Sequence, residues 1–165
     1  MRTDIIEQYY RQYYRAAVVY SFSLCGKKEQ AEDIAAQAFE RALLLWDEDK
    51  PYFKAWLLTV CRNLWLDGLR RDKHLADRPP EELPLHAAEQ VEDTFFKEDR
   101  NRQLYAAMLR LQAGYREILV CHYFCGLPLA ACADLLHITE NNAKTRICRA
   151  RARLKTELEE SGYEL

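Results

Sequence analysis

Apolar residues recur along this chain at the three- and four-residue spacing of an α-helix, and no stretch of any length alternates apolar with polar residues. In the N-terminal half the spacing predicts three helices, over about residues 3–25, 29–46 and 51–71. Gly26 follows the first of them, where glycine readily adopts the left-handed backbone that ends a helix. The pattern therefore predicts an all-α fold.

The C-terminal third predicts two helices joined by a tight turn. A short helix over residues 129–136 is followed by His137, Ile138 and Thr139, and Thr139 can cap the longer helix that begins there. That longer helix has one continuous apolar side. Its members recur at i, i+4, i+7, i+11 and i+15: Ala143, Ile147, Ala150, Leu154 and Leu158. This arrangement is typical of a helix-turn-helix unit.

Basic side chains occupy the rest of the longer helix. Six of them point away from the apolar side: Lys144, Arg146, Arg149, Arg151, Arg153 and Lys155. The outermost strip also carries Thr145, Cys148 and Ala152, whose small side chains allow close approach to the floor of a groove. Such a helix suits DNA, because arginine pairs with guanine edges and with phosphates.

Charge is distributed unevenly, although the net charge of the chain is only −2. Residues 139–155 hold six bases and one acid, whereas residues 79–100 hold seven acids and two bases. A protein that binds DNA alone favours a positive balance, so this chain is expected to have a second partner of a different kind.

Prolines and acidic residues mark an exposed, flexible linker between two small helical domains. We expect a three-helix domain over residues 1–75, the linker over 76–98, and a second domain with the helix-turn-helix over 99–165. Phe95 and Phe96 lie near the end of the linker, and two adjacent aromatic residues predict that this end docks on a surface.

Six cysteines lie within apolar stretches, and none belongs to a C-x-x-C pair. We expect free thiols that pack as small hydrophobic side chains, in a cytoplasmic protein without a membrane span or a signal peptide. A metal site is an alternative, although the ligand spacing matches no common zinc pattern. Its ligands would be Cys121, His122, Cys125, Cys132 and His137. A thiol enzyme using Cys121 and His122 is disfavoured, because neighbours on a helix point about 100° apart.

Two blocks of the sequence resemble one family, the extracytoplasmic-function sigma factors of bacteria. Residues 31–73, with the phrase AWLLTVCRNLWLDGLRR, are similar to region 2 of that family, and residues 111–158, with RICRARARL, are similar to region 4. The resemblance implies a promoter-specificity factor that binds the clamp coiled coil of core RNA polymerase and recognises −10 and −35 promoter elements. It implies no catalytic activity and no cofactor, and it makes an anti-sigma factor an expected further partner.

The resemblance also implies roles for individual residues. Contact with polymerase falls to one side of the second helix, at Glu32, Asp33, Gln37 and Glu40. Recognition and melting of the −10 element fall to Tyr52, Phe53, Asn63, Arg70 and Arg71. Either of the two aromatic residues can stack on a flipped base. Recognition of the −35 element falls to Lys144, Thr145, Arg146, Cys148, Arg149, Arg151 and Arg153.

The sequence departs from the family pattern in the helix-turn-helix. His137 replaces a common glycine, and Asn141 with Asn142 replaces a common Gly-Thr pair. Acids usually stand where this chain has Ala130 and Ala131. We expect an unusual −35 sequence rather than loss of DNA binding.

A stand-alone helix-turn-helix regulator is the alternative function. It would explain residues 111–158 but would leave residues 31–73 without a role.

Overall fold

The computed structural model describes residues 2–47, 51–72, 83, 87–91 and 95–162. Within these ranges the chain is helical and contains no strand, which confirms the predicted all-α fold. The helices, in chain order, are α1 (Arg2–Cys25), α2 (Lys28–Leu45), α3 (Phe53–Asp72), α4 (Asp99–Leu109), α5 (Ala113–Leu119), α6 (Leu129–Leu135) and α7 (Glu140–Glu160). A 3₁₀ turn spans Ala88–Gln90, and α5 continues into a π-helical turn, Val120–Phe124.

Helices α1, α2 and α3 pack against one another and form the first unit. Gly26 ends α1 with a φ of +71°, as predicted, and its N–H donates to the carbonyl of Phe22 at 2.7 Å. Phe53 lies at the centre of an aromatic cluster, stacked on Tyr9 with ring centroids 4.2 Å apart and edge-on to Trp46 at 5.2 Å. Aromatic packing of this kind adds to the free energy gained from apolar burial.

Helices α4 to α7 form the second unit, in which α7 packs on α5 and α6. The predicted apolar side of α7 is confirmed, because all five of its residues are buried: Ala143, Ile147, Ala150, Leu154 and Leu158. The opposite side of α7 is left exposed along its length. One face of this helix therefore anchors it while the other remains available to a ligand.

The two units pack on each other and share one hydrophobic core. α1 contacts α5 and the π-helical turn, and α3 contacts α6. The hydroxyl of Tyr105 in α4 donates to the carbonyl of Val19 in α1 at 2.5 Å. The thiol of Cys125 lies 3.6 Å from the carbonyl of Ala16, also in α1. The structure is thus a closed arrangement of both units.

Most of the predicted linker, residues 76–98, lies outside the described residues, so its flexibility and the domain boundaries stay predictions. Its described end docks, as expected from its aromatic residues. Phe95 meets Phe22 edge-on with ring centroids 5.0 Å apart, and Phe96 packs on Phe124 at 4.8 Å. Arg15 of α1 donates to the carbonyl of Phe95 at 2.6 Å, which ties this segment to the first unit.

The third helix begins two residues later than predicted. Pro51 was expected in its first turn, but α3 starts at Phe53 because Tyr52 has a φ of +70° and therefore lies outside the helical region. A left-handed backbone is uncommon for a residue with a bulky side chain. Here it turns the tyrosine outward while Phe53 enters the core.

Candidate nucleic-acid interface

The helix-turn-helix is built as the sequence predicts. His137 adopts a φ of +57° in the turn, and the N–H of Ile138 donates to the carbonyl of Ala133 at 3.0 Å. The hydroxyl of Thr139 caps α7 by accepting from the N–H of Asn142 at 3.1 Å. This cap satisfies one of the unpaired N–H groups in the first turn of α7 and so stabilises the start of the helix directly after the turn.

The basic face of α7 is open to solvent. Six of the seven residues predicted to meet the −35 element are exposed: Lys144, Thr145, Cys148, Arg149, Arg151 and Arg153. Lys144, Cys148 and Ala152 follow one another at four-residue spacing, so they share one side of the helix. Thr145 and Arg149 lie beside them, and this strip faces away from the buried side.

Arg146 differs from its neighbours because it is only partly exposed. Its guanidinium lies against Gly114 at the start of α5, where a Cβ atom would come within 3.4 Å of it. Arg146 also favours the charged form of Glu117, which lies in α5 as Gly114 does. In the closed arrangement it leans towards α5 rather than straight out from α7.

Tyr123 of the π-helical turn holds Arg151. The Nε of Arg151 donates to the tyrosine hydroxyl at 2.5 Å, and its guanidinium carbon lies 5.5 Å from the centroid of the ring. Sequence reasoning missed this contact because the two residues are 28 positions apart and no local pattern links them. The tyrosine is therefore a further candidate residue for this interface.

The two aromatic residues expected at the −10 element differ in burial. Tyr52 is 80% exposed, whereas Phe53 is only 4% exposed and fills the aromatic cluster of the first unit. Stacking of a base on Phe53 would require the loss of that cluster, so burial favours Tyr52 over Phe53 for this role. Only Tyr52 of the pair has a free ring face for stacking.

The remaining −10 residues lie on the exposed side of α3. Asn63, Arg70 and Arg71 are all exposed, and Arg70 pairs with Asp67 at 3.1 Å. An exposed pair of this kind contributes little to stability and is easily exchanged for another anion. Arg70 is thus available to a phosphate.

The residues expected to contact polymerase share one side of α2. Asp33, Gln37 and Glu40 are exposed and Glu32 is partly exposed. Leu44 continues the same side one turn further and is 73% exposed. Leu43 and Leu45 beside it are 45% and 69% exposed, and a run of exposed leucines, unlike a single one, is typical of a protein-binding surface.

A buried charge cluster joins the two units, and sequence reasoning missed it. Glu117 of α5 is buried, and one of its carboxylate oxygens lies 3.5 Å from Nε of Arg62 in α3. Burial raises the pKa of Glu117, and Arg62, Arg116 and Arg146 oppose that rise. Burial also lowers the pKa of Arg116, which is itself buried. Periodicity could mark Arg62 only as a polar residue of α3, and not as a partner of α5.

The cysteines are free thiols, and all except Cys148 are buried. Burial raises the pKa of Cys25 to about 11 and that of Cys61 to about 12, which keeps both thiols protonated and unreactive. Nδ1 of His122 lies 2.8 Å from the carbonyl of Leu127, inside the second unit. In the part of the chain that the structure describes, no group of three or more histidines, cysteines or acids is placed to hold a metal ion.

Taken together, the fold and the interface define a two-unit, all-α transcription factor with a helix-turn-helix. Residues 5–74 match the family described as Sigma-70 region 2, and residues 101–154 match Sigma-70, region 4. The chain belongs to the sigma-70 family, among its extracytoplasmic-function (ECF) sigma factors.

Individual relatives agree with this assignment. The chain is 27% identical to the ECF RNA polymerase sigma factor SigM of Bacillus subtilis, over 91% of this chain and 93% of that protein. It is 30% identical to the ECF RNA polymerase sigma factor SigL of Mycobacterium tuberculosis, over 87% of this chain and 82% of that protein.

The fold is shared with a solved sigma factor. The structure of RpoE in complex with the anti-sigma factor NepR from Bartonella quintana matches with a TM-score of 0.69 and 23% identity, over 93% of this chain and 96% of that one. The likeness therefore includes both helical units. None of the helices described for the present chain is long and apolar enough to cross a membrane.

Proposed function

We propose that the protein binds core RNA polymerase and directs it to promoters whose −35 element is read by α7 and whose −10 element is read and melted by α3. The observation that carries this proposal is the exposed basic strip of α7, set on a buried apolar side and capped by Thr139. Lys144, Arg146 and Arg149 lie in the first turns, the part of a recognition helix that enters the major groove. Arg151 and Arg153 lie further along and hold phosphates.

The −10 contacts come from the first unit. Asn63 meets a base, and the free ring of Tyr52 stacks on a base that has left the duplex. Stacking on an aromatic side chain is worth about 1–3 kcal/mol per base, which offsets the cost of unstacking. Arg70 and Arg71 hold the phosphates beside it. Melting proceeds by capture of single-stranded bases, so the chain needs no catalytic group for it.

Polymerase is bound by the exposed side of α2, through Glu32, Asp33, Gln37 and Glu40. Its docking partner there is the clamp coiled coil of the polymerase, because α2 lies within the residues that match region 2. An anti-sigma factor is a further proposed partner. The related fold of RpoE was solved with the anti-sigma factor NepR.

Transcription in vitro tests the function. Purified protein is mixed with core polymerase and genomic DNA, and the RNA start sites are sequenced. We expect starts that share one −10 and one −35 sequence. Arg149→Ala should reduce starts, whereas Arg11→Ala should not, because Arg11 is an exposed arginine of α1 paired with Glu7 and lies outside the proposed interface. A protein that binds palindromic DNA as a dimer and gives polymerase no new starts would instead be a stand-alone regulator.

A further inference from the structure

The closed arrangement is too compact for both promoter elements at once. If the elements lie two helical turns apart, they are separated by ~70 Å. In the structure, α3 contacts α6, and α6 packs on α7. Packed helices have axes about 8–10 Å apart, which places α3 and α7 within ~20 Å of each other. The two units must therefore separate before the protein can act as proposed, and any role for their closure rests on that proposed function.

Among the described residues, the surface between the units is largely apolar and includes the buried ion pair of Arg62 and Glu117. Tyr105 and Cys125 make the contacts to α1 described above. Arg62 of α3 and Glu117 of α5 form the ion pair, and their side chains are 18% and 8% exposed. Both charges are largely held away from water in the packed arrangement. Separation would return each of them to solvent.

Glu117 depends on the first unit for part of its neutralisation. Among the groups that favour the charged form of Glu117, Arg62 has the largest effect. Arg116 and Arg146 of the second unit have smaller effects. A buried ion pair adds little net stability, because desolvation of the charges offsets their attraction. Removing one partner is costly, however, because the other charge is left buried without compensation. The closed arrangement therefore depends on Arg62, but the pair does not stabilise it so strongly that the units cannot separate.

We propose that the Arg62–Glu117 pair is an electrostatic latch that sets the balance between a closed form of the free protein and an open form that binds promoters. In the closed form the carboxylate is matched by Arg62. In the open form water replaces Arg62, and the two arginines of the second unit stay with Glu117. Polymerase and promoter DNA bind the open form, so they draw the equilibrium towards it.

Cysteine alkylation can report on opening, because the thiols differ in what buries them. Cys125 faces α1 across the boundary, with its sulfur 3.6 Å from the carbonyl of Ala16. Cys132 is buried inside the second unit, with its sulfur 3.7 Å from the carbonyl of Leu127. Cys148 is exposed on α7. Of these three cysteines, opening should newly expose Cys125, unfolding should expose Cys132 as well, and Cys148 calibrates the reagent.

The experiment follows iodoacetamide labelling of the full-length protein by peptide mass spectrometry, with one rate for each cysteine. Arg62→Gln should raise the rate at Cys125 by at least ~10-fold, because Glu117 is then buried without its partner. The rate at Cys132 should not change. Arg62→Gln combined with Glu117→Gln should bring Cys125 back to within about 3-fold of the wild type, because neither member of the pair is then buried without the other. Glu7→Gln, which breaks an exposed pair in α1, is the matched control and should leave Cys125 protected.

Three results would overturn the latch. Cys125 could stay protected in Arg62→Gln, Cys125 and Cys132 could become reactive together, or the double variant could remain as reactive as the single one. These measurements need no polymerase, so they are independent of the transcription assay. A protein that supports no transcription but shows selective exposure of Cys125 would refute the proposed function and keep the latch. If transcription were normal and Cys125 stayed protected in Arg62→Gln, the proposed function would be kept and the latch refuted.

Discussion

The Nε of Arg151 donates a hydrogen bond of 2.5 Å to the hydroxyl of Tyr123, and the guanidinium of Arg151 lies over the tyrosine ring. This contact joins the recognition helix to the π-helical turn that follows α5. It restrains a long side chain that would otherwise sample many rotamers in solvent. Because only Nε is engaged, the terminal nitrogens of the guanidinium are left to meet a phosphate.

We therefore predict that Tyr123→Ala weakens binding of the holoenzyme to −35 DNA by about 1 kcal/mol, through loss of the hydrogen bond and the ring contact. Tyr123→Phe keeps the ring and should lose about half of that. Neither variant removes a charge, so the dependence of affinity on salt should stay as in the wild type. Arg151→Ala should lower the slope of that dependence by ~1. Fluorescence anisotropy across a salt series distinguishes the two effects, and an unchanged affinity in Tyr123→Ala would remove Tyr123 from the interface.

Arg149 is the exposed arginine best placed to read a base, because it lies in the first turns of α7 beside the small residues Thr145 and Cys148. We predict that Arg149→Ala weakens binding to an intact −35 element by ~1–3 kcal/mol. On a scrambled element the loss should be much smaller, since no base contact is left to lose. Arg153→Ala is the matched control and should weaken both DNAs alike. Equal losses for Arg149→Ala on both elements would show that Arg149 holds a phosphate only.

Asn63 is exposed on α3, and its neighbour in sequence, Arg62, points into the boundary between the units. We predict that Asn63→Ala slows formation of the open complex with little change in affinity for core polymerase. Permanganate footprinting of the −10 thymines measures melting, and co-migration with core polymerase measures binding. Unchanged permanganate reactivity in Asn63→Ala would exclude Asn63 from the −10 site.

The sequence patterns predicted the structural features that depend only on neighbouring residues within one helix. The apolar side of α7, the cap at Thr139 and the turn at His137 all follow from local rules and are present in the structure. Contacts between distant residues could not be predicted, because periodicity says which side of a helix is buried and not what buries it. Arg62 with Glu117 and Tyr123 with Arg151 are of this kind.

Phe53 shows a second kind of feature that could not be predicted from the sequence. Tyr52 and Phe53 are adjacent aromatic residues, and the pattern alone gives no reason to expect one outside and the other inside. The positive φ of Tyr52 decides between them, because it starts α3 at Phe53 and directs Phe53 into the cluster of Tyr9 and Trp46. The backbone geometry of a turn depends on how the segments on both sides of it pack. The conformational propensity of a single residue does not include that information.

Leucines on α2 and α3 allow a test of the core that is matched in chemistry. Leu58 is fully buried in α3, whereas Leu44 in α2 is 73% exposed. We predict that Leu58→Ala lowers the free energy of unfolding by about 2–5 kcal/mol, through lost burial and the cavity that remains. Leu44→Ala should change it by less than about 0.5 kcal/mol. Urea denaturation followed by circular dichroism measures both, and similar losses in the two variants would contradict the assignment of Leu58 to the core.

Glu117 gives the stability of the protein a distinct dependence on pH. Burial raises the pKa of its carboxyl above the ordinary value of 4.5, and the three arginines around it only partly oppose that rise. A carboxyl whose pKa is raised in the folded chain stabilises it fully below its unfolded pKa, and this contribution is lost as the pH rises through the raised value. Acidification from about pH 7.5 to about pH 5 should therefore stabilise the wild type relative to Glu117→Gln, whose side chain does not titrate. Urea midpoints of both proteins at the two pH values measure the difference, in which the other carboxylates cancel. If the wild type instead lost stability relative to Glu117→Gln on acidification, the arginines would outweigh burial and the pKa of Glu117 would be lowered.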